Sequence, residues 1–120
     1  MIDMIRKHGL VIIENPLIPF KGYKLINLCG LIFCRSGVAD AITETDANHE
    51  RIHTEQQKEM LVVFFYLWYL FEWVVLWINY YGDSRKAYRQ VGFEEEAYMG
   101  ERNPNYIKSR KHFAWMKFIF

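Results

Sequence analysis

Hydrophobic positions come in short blocks in the first third of the chain and in one long block in the middle. Residues 10–13, Leu-Val-Ile-Ile, form a compact apolar run that predicts a short strand. Asn15-Pro16 and Pro19 break it, and Phe20-Lys21-Gly22 predicts a turn. Residues 23–28 and 31–35 are β-rich on either side of Cys29-Gly30, the pattern of a hairpin closed by Ser36-Gly37. The composition then becomes small and acidic up to Asp46, as suits a connection into a helix N-terminus. Thr45 or Asp46 is expected to cap that helix, and Asn48 is a further candidate.

From there no glycine or proline occurs until Gly82, so the stretch is one long helix or two helices with a bend. Its first part, to Glu59, is strongly polar; residues 60–78 are apolar, with Glu72 the only charge. That second part approaches the length of a membrane span. Eight of its residues are aromatic, however, and Glu72 sits well inside, so a buried core helix with some surface left over is the expectation. A dimer face is the other use of such a helix. Gly82-Asp83-Ser84 predicts a loop, residues 93–99 a helix ended by Gly100, and Asn103-Pro104-Asn105 another break. Residues 106–120, basic and aromatic, are expected to be helical. Strands first and helices after argue an α+β fold.

Composition narrows the class. At 120 residues one domain is expected, with room for one core and one site. The net charge of +1 gives no global reason for a nucleic-acid partner. The four-residue apolar run behind Arg6 and Lys7 is too short for a signal peptide. Cys29 and Cys34 are too few for a disulfide scaffold, which fits a reducing cytoplasm. Five cations against one acid between Glu101 and Lys117, interleaved with Phe113 and Trp115, suit contact with an anionic membrane surface.

The chemistry lies in His49-Glu50-Arg51-Ile52-His53. Histidines four apart on a helix project from one face, one turn apart, the spacing two imidazoles need to share one Zn²⁺. Glu50, beside the first, can serve a bound water as general base without ligating. A catalytic zinc takes three protein ligands. Glu94, Glu95, Glu96, His112 and His8 are candidates for the third, and a glutamate from the helix at residues 93–98 completes a His-His-Glu set. Gln56, seven beyond His49, shares the metal-facing side and can hydrogen-bond a ligand. Tyr88, Tyr98 and Tyr106 are phenols that can stabilise an oxyanion.

These two motifs resemble those of the gluzincins, zinc peptidases whose membrane-embedded members carry the third ligand as the first residue of Glu-x-x-Ala-Asp. The resemblance makes Glu94 the ligand, with Ala97 matching the alanine and Glu96 as the fallback. Tyr98 stands where the family has an aspartate that orients a ligand histidine. The size is similar to that of the minigluzincins, and His49, Glu50, His53, Gln56 and Glu59 match the His-Glu-x-x-His-x-x-Gln-x-x-Glu helix of short bacterial proteins. The resemblance implies a zincin-like fold with a small sheet, an active helix, a long apolar helix, a glutamate helix and a C-terminal helix. It implies zinc-dependent hydrolysis of a peptide or protein substrate, held along a sheet edge for which residues 31–35 are the candidate, and a tail that covers the cleft. The rival readings are a peptidase held at the membrane, and an inert metal-binding or interaction module.

Overall fold

The computed structural model describes residues 2–20 and 22–119. Lys21, in the predicted turn, and Phe120, at the end of the predicted last helix, lie outside the described residues. The chain runs β1 (Asp3–Lys7), β2 (Leu10–Asn15), β3 (Ile26–Leu28), β4 (Leu31–Arg35), then α1 (Glu44–Glu59), α2 (Val63–Asn79), α3 (Ser84–Gln90), α4 (Gly92–Gly100) and α5 (Tyr106–Ser109). It is α+β, with a four-stranded sheet ordered β1-β2-β4-β3. β1 and β3 pair antiparallel with their neighbours, whereas β2 and β4 are parallel.

The expected hairpin is β3–β4. Cys29 and Gly30 both have positive φ, 55° and 88°, the two-residue turn whose twist matches the flanking strands. Residues 31–35, expected at a sheet edge, are not there: β2 and β3 pair with β4 on either side, and β3 is the edge strand. Asn27 fastens that edge strand to α1, its amide donating to the Glu50 carbonyl and to Thr54 Oγ1, each at 2.9 Å. β1 is not among the expected strands: Met4 is exposed and Ile5 alone of its side chains packs on the core, while Lys7 Nζ donates to the carbonyls of Ala39 and Asp40.

Thr43, one turn before the expected caps, begins α1. Its hydroxyl accepts from Asp46 N–H, and the Asp46 carboxylate accepts from Thr43 N–H, a reciprocal capping box. Asn48, the third cap candidate, serves another helix: its amide donates to the carbonyls of Gly100, Glu101 and Asn103 at the end of α4.

Of the two forms open for residues 46–81, the chain takes two helices, bent by 111°. The break has no glycine or proline; Leu61 and Val62 take φ of 54° and 60° instead. What each helix meets fixes the angle. α1 faces the sheet and α4 with polar side chains, while α2 turns to reach α4 with Glu72. That carboxylate is fully buried and accepts the N–H of Gly92, the first residue of α4, where a negative charge also suits the helix dipole.

The core falls into two clusters. One lies under the sheet around Ile12, Ile32, Cys34 and Ile42; the other joins α2, α3 and α4 around Phe65, Leu76, Phe93 and Trp115. α1 stands between them. The apolar helix is less buried than expected: only Phe65, Glu72 and Leu76 of α2 are fully inside. The basic C-terminal segment is not one helix. Beyond the four residues of α5 it continues extended at Arg110 and ends in a 3₁₀ turn, Ala114–Phe118, packed on α4.

Candidate metal centre

Eight residues of α1 are buried, and only Ala47 and Ile52 of these are apolar. A polar helix can sit in the middle of a small protein only if each buried polar group finds a partner. Here the partners build the site.

His49 and His53 face each other across one turn, Nε2 to Nε2 at 3.1 Å. Glu94, in the first turn of α4, places Oε1 3.0 Å from each of those nitrogens. Tetrahedral coordination at about 2.0–2.1 Å puts neighbouring ligand atoms about 3.3 Å apart. The triangle of two imidazole nitrogens and one carboxylate oxygen fits a zinc-sized ion closely. Glu50 belongs to the same group: ligand-type atoms of His49, Glu50 and His53 all lie within 4.8 Å of one another. Glu94 Oε1, 3.0 Å from both nitrogens, completes the triangle, and Glu50 stands beside it.

Supporting groups orient each member. Glu101 Oε1 accepts from His49 Nδ1–H at 2.7 Å. Gln56 Oε1 accepts from His53 Nδ1–H at 2.8 Å. The direction of the Gln56 amide follows from its other end, where Nε2 donates to the Phe93 carbonyl and to Glu96 Oε1 at 3.0 and 2.9 Å. With both Nδ1 atoms protonated, both Nε2 lone pairs point at the common centre. Tyr69 donates to Glu94 Oε2 at 2.8 Å, which turns Oε1 toward the imidazoles.

The electrostatics of the triangle couple its three members. Burial pulls His53 down, but the Glu94 carboxylate outweighs it and the imidazole is pushed up to about 9. His49 is raised as well, burial again being overcome by its bond to Glu94. Glu94, which burial would raise, is held far below the usual carboxylate range by His53 and His49. Glu50 goes the other way: burial raises its pKa, and the nearby histidines only temper the rise.

The remaining sequence candidates fall elsewhere. Glu96 is buried, but Arg110 Nε and Nη2 bind it at 2.7 and 2.8 Å and Tyr106 donates to it at 2.7 Å. Glu95 is half-buried, and burial, with the nearby Glu72 carboxyl, raises its pKa. His8 pairs with Glu44, and the exposed His112 lies 3.5 Å from Glu59. The Tyr98 ring stands edge-on to His49 with centroids 4.6 Å apart and makes a ring contact where a carboxylate bond was expected. Glu101 occupies that role. It lies seven residues beyond Glu94, so it shares the same helical face two turns on, a spacing that could have been searched for. Tyr69 has no comparable signal, being one aromatic among many in α2.

Two cavities meet at this centre. One, about 390 Å³, is lined mainly by apolar and aromatic groups, among them Leu25, Ile26, Phe65, Tyr66, Tyr69 and Trp73, with His53 and Glu94 in its wall. The other, about 270 Å³, is polar and is lined by Lys24, Asp46, His49, Tyr98 and Glu101. Glu50 and Tyr88 line both. Among the described residues nothing beyond Glu101 lines either cavity, so the tail does not cover the cleft. Compared with known protein families, curated proteins and solved structures, the chain matches none.

Proposed function

We propose that this protein is a zincin-like metallopeptidase in which His49, His53 and Glu94 hold one zinc ion and Glu50 is the general base. One observation carries the reading: three ligand-type atoms from two helices lie 3.0–3.1 Å from one another, each held in orientation by a separate partner. Structural metal sites are closed by four protein ligands, whereas three leave a position open.

When bound, zinc supplies a Lewis acid for the substrate carbonyl and for water. The chain's own groups do the rest. Glu50, kept basic by burial and standing where the two cavities meet, takes the proton of the attacking water and passes it to the leaving nitrogen. The apolar cavity accepts a bulky apolar side chain on one side of the scissile bond, and the polar cavity holds the peptide on the other. Tyr88, which lines both, is placed to donate to the oxyanion; burial and Glu94 keep its phenol protonated.

The purified chain is expected to carry about one zinc per molecule, lost in the His49→Ala/His53→Ala double variant. Glu50→Gln is expected to keep the zinc and to abolish cleavage of a fluorogenic peptide with a bulky apolar residue at the scissile bond. A Glu50→Gln protein that cleaves as fast as the parent overturns the mechanism; a chain that does not bind zinc overturns the site.

A further inference from the structure

We propose that the outward face of α2 is the surface by which this protein lies on an anionic lipid membrane. Val63, Phe64, Leu67, Leu70, Val74 and Ile78 are 38–63% exposed. Their spacing of three and four places them along one side of a helix about 25 Å long. That stripe has no charge, because the only acid of the helix, Glu72, is buried on the opposite side against Gly92. Water-facing helices carry polar residues on their outer face; this one carries none until Asn79.

The flanks identify what covers it. α3, packed along α2, presents Arg85, Lys86 and Arg89, all exposed, and its seven residues contain no acid. On the other side the C-terminal segment touches α2 through Trp115, whose ring centroid is 6.2 Å from that of Trp68. After Glu101 that segment has no acid, and Arg102, Lys108, Lys111 and Lys117 are exposed. Asp83, the carboxylate at the head of α3, is engaged as its cap. Four of these cations lie over aromatic rings: Lys86 over Tyr80 at 4.6 Å and Lys117 over Phe118 at 5.2 Å, and, against residues that line the polar cavity, Arg85 over Tyr23 at 5.8 Å and Arg89 over Tyr98 at 4.3 Å. Phe113 and Met116 add exposed apolar surface beside Lys117.

An uncharged stripe bordered by cations and aromatic rings complements the apolar and headgroup layers of an anionic bilayer. A second copy seated on the stripe would bring two cationic borders together. No single helix is long and apolar enough to cross a bilayer, and α1 leaves α2 at 111°. The metal centre lies on the other side of α2, reached by Tyr69, so the lipid-facing stripe leaves the cleft open.

The test is flotation of the full chain with vesicles of phosphatidylcholine alone and with vesicles containing phosphatidylglycerol. Binding to the anionic vesicles is expected. It should fall about tenfold or more in Leu67→Glu/Leu70→Glu, and likewise in Lys111→Glu/Lys117→Glu, which leaves α2 untouched. Helical content by circular dichroism should be unchanged in the second variant. Failure to float with either vesicle overturns the proposal, as does binding that neither double variant weakens. Sedimentation showing a dimer that Leu67→Glu/Leu70→Glu dissociates, without vesicle binding, assigns the stripe to a second copy. None of these readouts depends on zinc or cleavage.

Discussion

A single amide decides how His53 presents itself. Gln56 cannot turn over, because its nitrogen is committed to the Phe93 carbonyl and to Glu96. Its oxygen therefore takes the His53 Nδ1 proton and leaves Nε2 to ligate. Glu101 does the same for His49 with a carboxylate, a stronger acceptor. Glu101→Ala is accordingly expected to lower zinc affinity about 10–100-fold while the chain stays folded, read by competition with a chromophoric chelator. Tyr98→Phe, which keeps the ring against His49, should change affinity little by the same measurement. The pair of histidines was legible because a helix brings residues four apart together whatever surrounds it. The orienting carboxylate was not, because a local pattern assigned it to residue 98, whereas Glu101, two turns beyond Glu94 at the end of α4, is the one that meets His49. Glu96 looked like an alternative ligand for a related reason. Three successive glutamates on a helix point in three directions, and only tertiary partners, here Arg110 for Glu96 and the imidazoles for Glu94, decide which one meets the ion.

At the scale of elements, caps and close approaches set where helices begin and how near they come. Asp46 works twice, in the capping box of α1 and in a 2.5 Å ion pair with Lys24. Burial opposes its charge, but Lys24 and Thr43 prevail and its pKa lies below the usual value. A carboxylate with a depressed folded-state pKa contributes stability above its unfolded value, about 3.9, and loses it as pH falls through the folded value. Thermal melting of the parent between pH 5 and 3 is therefore expected to fall more steeply than that of Asp46→Asn; parallel curves would refute the assignment. Gly100 illustrates close approach: a Cβ there would meet the Tyr106 ring at 2.5 Å, so Gly100→Ala must displace Tyr106 from Glu96. The variant should melt at lower temperature with loss of near-ultraviolet tyrosine signal. Blocks of β-branched residues and runs free of glycine and proline made most elements readable in the sequence. The 111° break was not, since Leu61 and Val62 have no propensity for positive φ and take it only because both flanking helices are held elsewhere.

Across the whole molecule the two apolar clusters are tied together by polar bonds as well as by packing. Arg110, its side chain almost fully buried, binds Glu59 at the end of α1 with two bonds of 3.1 Å and Glu96 in α4 with two more. Removing it strands two buried carboxylates. Arg110→Ala is expected to cost about 3–5 kcal/mol in chemical denaturation. Converting both partners to glutamine in the same variant should recover part of that loss. The overall α+β order was readable from strands preceding helices, but this arginine was not. It reads in sequence as one more cation of a basic tail, and only the fold shows it to be the one drawn inside.

That burial links distant parts of the chain in a way the metal ligands alone would not. Arg110 holds Glu96, Glu96 holds Gln56, and Gln56 sets the ring of His53. A protein trimmed just after Glu101 would still own every proposed ligand, the proposed general base and the residues that line both cavities. It would lack Arg110 and Tyr106, and Glu96 would be left a buried carboxylate without its cation beside the amide that orients His53. A residue that touches neither imidazole thus still bears on how one of them is held, and a cut in the basic segment would be felt at the centre through Glu96 and Gln56.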